Sequence, residues 1–163
     1  MSDSWYDTAQ ICLNGHVISE FAVSQPQGNQ KFCQSCGAAT ITECQSCRTP
    51  IRGFYHVPGV IGPFGYSVPG FCHNCGAAYP WMQARVAAAK ELSDELNDLS
   101  PDEKETLKKS IDDIVRDTPS TTLAATRFKK LMAKAGKSTT ESFREILVDV
   151  LSETAKKMLW PAA

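Results

Sequence analysis

From Pro80 onward, apolar residues recur three and four apart, whereas before Tyr79 they come in short clusters broken by glycine, proline and cysteine. The first pattern predicts helices and the second predicts short strands joined by turns. Pro80, followed by Trp81, Met82 and Gln83, suits the first turn of a helix reaching about Asp98, with Ala88, Ala89, Leu92 and Leu96 as its apolar face. Ser100, Pro101 and Glu103 form a capping signature for a second helix that runs to about Asp117 and faces inward through Leu107, Ile111, Ile114 and Val115. A third helix starts at Thr118-Pro119, is buried through Leu123, Phe128, Leu131 and Ala135, and stops at Gly136. The fourth opens at Ser138 and carries Phe143, Ile146, Leu147, Val150, Leu151, Thr154 and Met158 down to Trp160, where Pro161 ends it. Short connections predict antiparallel neighbours, hence an all-α helical bundle of about four helices over residues 80–163.

Residues 1–79 hold β-branched runs, Thr40 to Thr42 and Val57 to Val68, but few long apolar segments. A core that small needs a further source of stability. The seven cysteines and one histidine supply it: they fall into the pairs Cys12/His16, Cys33/Cys36, Cys44/Cys47 and Cys72/Cys75, eight donors for two tetrahedral ions. Closed shells of thiolate and imidazole suit Zn2+, so two Zn2+ are expected, with iron an alternative in the all-cysteine site. Disulfides need an oxidising compartment, and Met1 to Gln10 lacks the basic and apolar regions of a secretory signal, which points to the cytoplasm. A redox Cys-x-x-Cys stands alone on a strand and helix, whereas here three such pairs accompany Cys12 and His16.

The segment Phe32 to Ala39 reappears as Phe71 to Ala78, each copy reading Phe-Cys-x-x-Cys-Gly-Ala-Ala and each closing a stretch opened by another donor pair. This internal duplication assigns Cys12, His16, Cys33 and Cys36 to one ion and Cys44, Cys47, Cys72 and Cys75 to the other. Gly37 and Gly76 stand where a glycine after the second thiolate can take positive φ. Two tandem zinc ribbons over residues 1–79 are therefore expected. The interleaved alternative, with pairs one and three on one ion, calls for a central histidine, and here the histidine closes the first pair. His56 and His73 then remain as surface or packing residues.

Together, Cys12-Leu13-Asn14-Gly15-His16-Val17-Ile18, the two Phe-Cys-x-x-Cys-Gly segments, Ile51-Arg52-Gly53 and Ser152-Glu153-Thr154-Ala155-Lys156-Lys157 resemble an uncharacterised bacterial zinc-ribbon family, domain of unknown function 2321. The resemblance covers nearly the whole chain and carries over the same eight residues as metal positions. It implies a bacterial, cytoplasmic protein and supplies no activity.

Several functional classes are disfavoured. Catalytic zinc keeps a position open for water, which eight donors on two ions do not leave, and neither a phosphate loop nor a Gly-x-Ser-x-Gly elbow is present. Asp112 and Asp113 share their helix with Lys108, Lys109 and Arg116 and read as a solvated charged face. No catalytic residue is assigned. Residues 1–79 carry four acids against three bases, and seven thiolates on two Zn2+ bring that region to about −4, the wrong sign for a polyanion. Arg48, Arg52 and Lys31 beside Phe54 and Tyr55 keep a nucleic-acid role as the rival, though those rings are expected to pack over the small core. Arg127, Lys129, Lys130 and Lys134 suit an anionic surface, against which stands ion pairing with Asp112, Asp113 and Asp117. The loop Pro58 to Gly70, with Val60, Ile61, Phe64 and Tyr66, is expected to fold back onto the molecule. No apolar run reaches the roughly eighteen residues of a membrane span. The expectation is a non-enzymatic adaptor or regulatory subunit that binds another protein, with a second copy joined through the final helix and Trp160 as one option.

Overall fold

In a computed structural model, residues 3–62 and 64–161 are described. Among them a small β region precedes five helices. The strands are β1 (Trp5–Thr8), β2 (Gln10–Cys12), β3 (Val17–Ser19), β4 (Thr40–Ile41) and β5 (Arg52–His56). The helices are α1 (Pro80–Asp94), α2 (Pro101–Ile114), α3 (Thr121–Ala135), α4 (Lys137–Leu147) and α5 (Glu153–Leu159). Two compact units divide within α1, between Gln83 and Ala84.

In the first unit β2 sits between β3 and β4, while β1 pairs antiparallel with β5 through Trp5 opposite His56, Tyr6 opposite Tyr55 and Thr8 opposite Arg52. The register shifts between Tyr6 and Thr8. Asp7 sits at that irregularity, buried between exposed Tyr6 and half-buried Thr8. Its carboxylate accepts from the backbone amides of Thr8, Val23 and Ser24, from the Ser24 hydroxyl and from His56 Nε2 at 3.1 Å. Burial pushes the Asp7 carboxyl up, but the bonds from Ser24, Thr8, His56 and Val23 outweigh it and hold it below the ordinary value. Ile11, Ile51, Tyr79 and Trp81 form a small core, with Tyr79 stacked on Trp81 at 4.7 Å and Trp81 Nε1 donating to the Pro69 carbonyl at 2.9 Å. The β-branched stretch from Val57 to Val68 forms no strand among its described residues.

In the second unit the capping box of α2 is complete, with the Glu103 amide 3.2 Å from Ser100 Oγ and the Ser100 amide 2.8 Å from Glu103 Oε2. Helix α3 packs against α2, α4 and α5. Phe128 meets Phe143 edge-on at 5.7 Å and Trp160 at 6.2 Å.

The expected fourth helix is two helices. The amides of Val150 and Leu151 both donate to the Leu147 carbonyl, and Ser152 becomes extended, its amide donating to the Ile114 carbonyl and its side chain capping α5 at Ala155. The interruption leaves Val150 and Leu151, adjacent in sequence, both buried. Helix α1 stops at Asp94, short of Asp98. Leu123, expected inside, is 52% exposed, because Thr121, Ala124, Ala125 and Phe128 take the inner face of α3. Five residues from Phe128 place Leu123 about 140° round the helix. Two of the three expected acidic partners of α3 are engaged elsewhere: Lys90 holds Asp112 and Thr154 donates to Asp117, while Lys134 pairs with Glu103 at 2.7 Å.

Candidate metal centre

Three of the four donor pairs sit on the same tight turn. The amides of Gly37, Arg48 and Gly76 donate to the carbonyls of Cys33, Cys44 and Cys72 at 2.7, 2.9 and 2.9 Å, and each first cysteine's amide bonds back to the residue after the turn. Isolated bridges close the three loops at Phe32/Ala39, Glu43/Pro50 and Phe71/Ala78. The residue after the second cysteine is left-handed in all three, with φ of 73° at Gly37, 62° at Arg48 and 75° at Gly76. Glycine was expected at two of these; the third copy forces the same conformation on an arginine. The fourth pair differs, since Cys12 ends β2 and His16 precedes β3 in a hairpin turn.

These turns gather the eight residues into two clusters, Cys12/His16/Cys33/Cys36 and Cys44/Cys47/Cys72/Cys75, and in each the four donor atoms lie within 4.8 Å of one another. The pairing is sequential, and the interleaved alternative does not form. In the first cluster Cys12 Sγ lies 3.7 Å from Cys36 Sγ, and His16 Nδ1 lies 3.4 Å from Cys12 Sγ and 3.6 Å from Cys33 Sγ. In the second, Cys44 to Cys75 and Cys47 to Cys72 are each 3.7 Å. Sulfurs on a tetrahedron with bonds of ~2.3 Å stand ~3.8 Å apart, and a sulfur and an imidazole nitrogen ~3.6 Å apart. The spacing therefore suits one tetrahedral ion per cluster and is far beyond the ~2.05 Å of a disulfide. All seven cysteines are free thiols. His56 and His73 lie outside both clusters; His56 serves Asp7 and stacks on Trp5 at 4.2 Å.

The sulfurs have partners of their own. Asn14 Nδ2 donates to Cys36 Sγ at 3.4 Å and the His16 amide to Cys12 Sγ at 3.3 Å. Across the second cluster, Asn74 Nδ2 donates to Cys47 Sγ at 3.6 Å, and the Thr49 hydroxyl lies 3.2 Å from the same sulfur. The Thr49 hydroxyl, the Thr49 amide and the Asn74 amide group bring the Cys47 thiol down to about 6, favouring its ionised form. At Cys36 the Ala38 amide and then Asn14 act in the same direction. At Cys75 the Ala77 amide pulls downward, but burial and the neighbouring sulfurs win and push the thiol up to about 12. Because thiols that still hold protons must release them to bind an ion, metal affinity rises with pH. Asn14, Asn74 and Thr49 were not anticipated from the donor spacing. Their signal was present: each asparagine stands two residues after the first cysteine of a pair.

The chain belongs to the bacterial family described as "Uncharacterized protein conserved in bacteria (DUF2321)", whose pattern it matches over residues 5–159. No curated protein and no solved structure matches it. Family and geometry together define a bacterial protein with two cysteine-rich clusters that can hold metal ions. Among the described residues no helix is long and apolar enough to cross a membrane.

Proposed function

We propose that the protein is a non-enzymatic two-zinc module, a pair of tandem zinc ribbons followed by a helical bundle, that acts as an adaptor or regulatory subunit by binding another protein in the bacterial cytoplasm. The observation that carries this reading is the completeness of both donor sets, four side chains per cluster at tetrahedral spacing, all from one chain. Seven thiolates and one imidazole favour zinc over the harder divalent ions. Four protein donors per ion leave no position for a reacting water, so the metal acts as a scaffold. Unbonded thiols at 3.7 Å fit a reducing compartment. Protein contact is supported by the apolar side chains that stay in solvent, namely Val60, Ile61 and Phe64 on the loop after β5 together with Trp5 and Phe32.

Elemental analysis of freshly purified protein tests the metal assignment, with two equivalents of zinc expected and neither carrying exchangeable water. A markedly lower content, or an open coordination position, defeats the scaffold reading. Anisotropy against single- and double-stranded RNA and DNA at two salt concentrations tests the partner class. Micromolar binding that weakens steeply with salt would replace the adaptor by a nucleic-acid-associated ribbon.

A further inference from the structure

Beyond the clusters, the first unit contains a second built feature. The chain that follows β5 folds back across it, and Tyr66 donates its phenolic hydroxyl to the Arg52 carbonyl at 2.7 Å. Tyr6, Phe54, Tyr55, Phe64 and Tyr66 wall a cleft of about 340 Å3, the lower range of small-molecule sites. Gly53 lines it as well, and a Cβ there would collide with the Glu20 carbonyl oxygen. The rings are tilted on one another: Phe54 lies 6.1 Å from Phe64, and Tyr6 lies 4.5 Å from Tyr55. Neither spacing admits a flat base between two rings, which argues against a nucleobase slot.

Two charged residues line the same cleft, Glu20 and Arg52. They form no ion pair with each other or with any other described side chain. The Arg52 guanidinium rests over the face of Tyr6 at 4.5 Å, and Glu20 is half-buried with no side-chain hydrogen bond among the described residues. Burial and then the Glu20 charge push the Tyr66 hydroxyl upward, so the phenol stays neutral. The cleft thus offers one negative and one positive group, held apart, among electron-rich ring faces. An ammonium surrounded by methyl groups is cheap to desolvate and is drawn to such faces, and a carboxylate on the same ligand matches guanidinium.

We propose that this cleft binds a small zwitterion of the methylated ammonium carboxylate class, its ammonium against Glu20 and the Tyr66, Phe54 and Phe64 rings and its carboxylate on Arg52. The assignment is independent of the metal reading. Calorimetry on the full-length, metal-loaded protein tests it with four probes: glycine betaine, choline without the carboxylate, 3,3-dimethylbutanoate without the positive charge, and glycine without the methyl groups. Saturable one-to-one binding of betaine is expected, with each of the other three weaker by roughly tenfold, because each lacks one of the recognised groups. Glu20→Gln and Arg52→Met should each weaken betaine by a similar factor while the unfolding midpoint holds. Amide shifts on adding betaine to unaltered protein should centre on Tyr6, Phe54 and Tyr66, a readout that needs no variant. Absence of betaine binding at millimolar concentration, equal binding of the isostere that lacks the ammonium charge, or shifts located elsewhere overturns the proposal.

Discussion

Asn14 Nδ2 reaches Cys36 Sγ at 3.4 Å, and in the second cluster Asn74 repeats the arrangement on Cys47 at 3.6 Å. Each asparagine belongs to one donor pair and spends its amide on the other pair of its cluster, tying the two halves together. Removing a hydrogen bond to a metal-bound ligand typically costs 10–100-fold in affinity. Asn14→Ala should therefore weaken metal retention by the first cluster about tenfold and leave the second unchanged, and Asn74→Ala should do the reverse. Competition with a chromophoric chelator, read as two separate equivalents, checks this.

Arg48 occupies the left-handed position that Gly37 and Gly76 fill elsewhere. Its ion pair with Glu43, at 3.2 Å and largely in solvent, returns little. Replacement by glycine relieves the Cβ clash at the cost of a freer unfolded chain, so Arg48→Gly should raise stability by roughly 0.5–1 kcal/mol. The denaturant midpoint of the metal-loaded protein should move up.

Asp7 sets an acid limit. Its folded carboxyl is held below the ordinary value, so its contribution is complete above the unfolded value of about 3.9 and drains away as pH falls through the lower, folded one. Asp7→Asn should lose about 2 kcal/mol at neutral pH, since an amide cannot accept at both former oxygens. It should also show a flatter stability profile below about pH 4. Urea midpoints measured across that range provide the comparison.

Beyond the break, Ser152 caps the last helix at the Ala155 amide, 3.2 Å away. Ser152→Ala should cost about 1 kcal/mol. A loss of helical circular dichroism without loss of bound metal would locate the damage in the second unit.

The clusters were legible because donor spacing is a local, chemically constrained code: two pairs plus a repeated Phe-Cys-x-x-Cys-Gly segment leave few ways to fill two tetrahedra. The α2 capping box was legible for the same reason, since Ser100 and Glu103 act within one turn. The break after Leu147 was not, because helical periodicity continues through Val150, Thr154 and Met158. What decides it is the long-range bond from Ser152 to the Ile114 carbonyl. Arg48 hid its left-handed turn because its side chain argues against that conformation, and the closed turn from Cys44 to Thr49 imposes it. The aromatic cleft was visible only as separate parts, Phe54 and Tyr55 in one stretch and Phe64 and Tyr66 in another, until the Tyr66 hydroxyl found the Arg52 carbonyl.

Sequential closure of the clusters has a bearing on biogenesis. All donors of the first cluster lie between Cys12 and Cys36, and those of the second begin only at Cys44. On a ribosome the amino-terminal set is complete before any member of the later one has been translated. Each ion can be captured in order, and a chain stalled before Cys44 already carries a full first donor set, which an interleaved plan would not complete before Cys47.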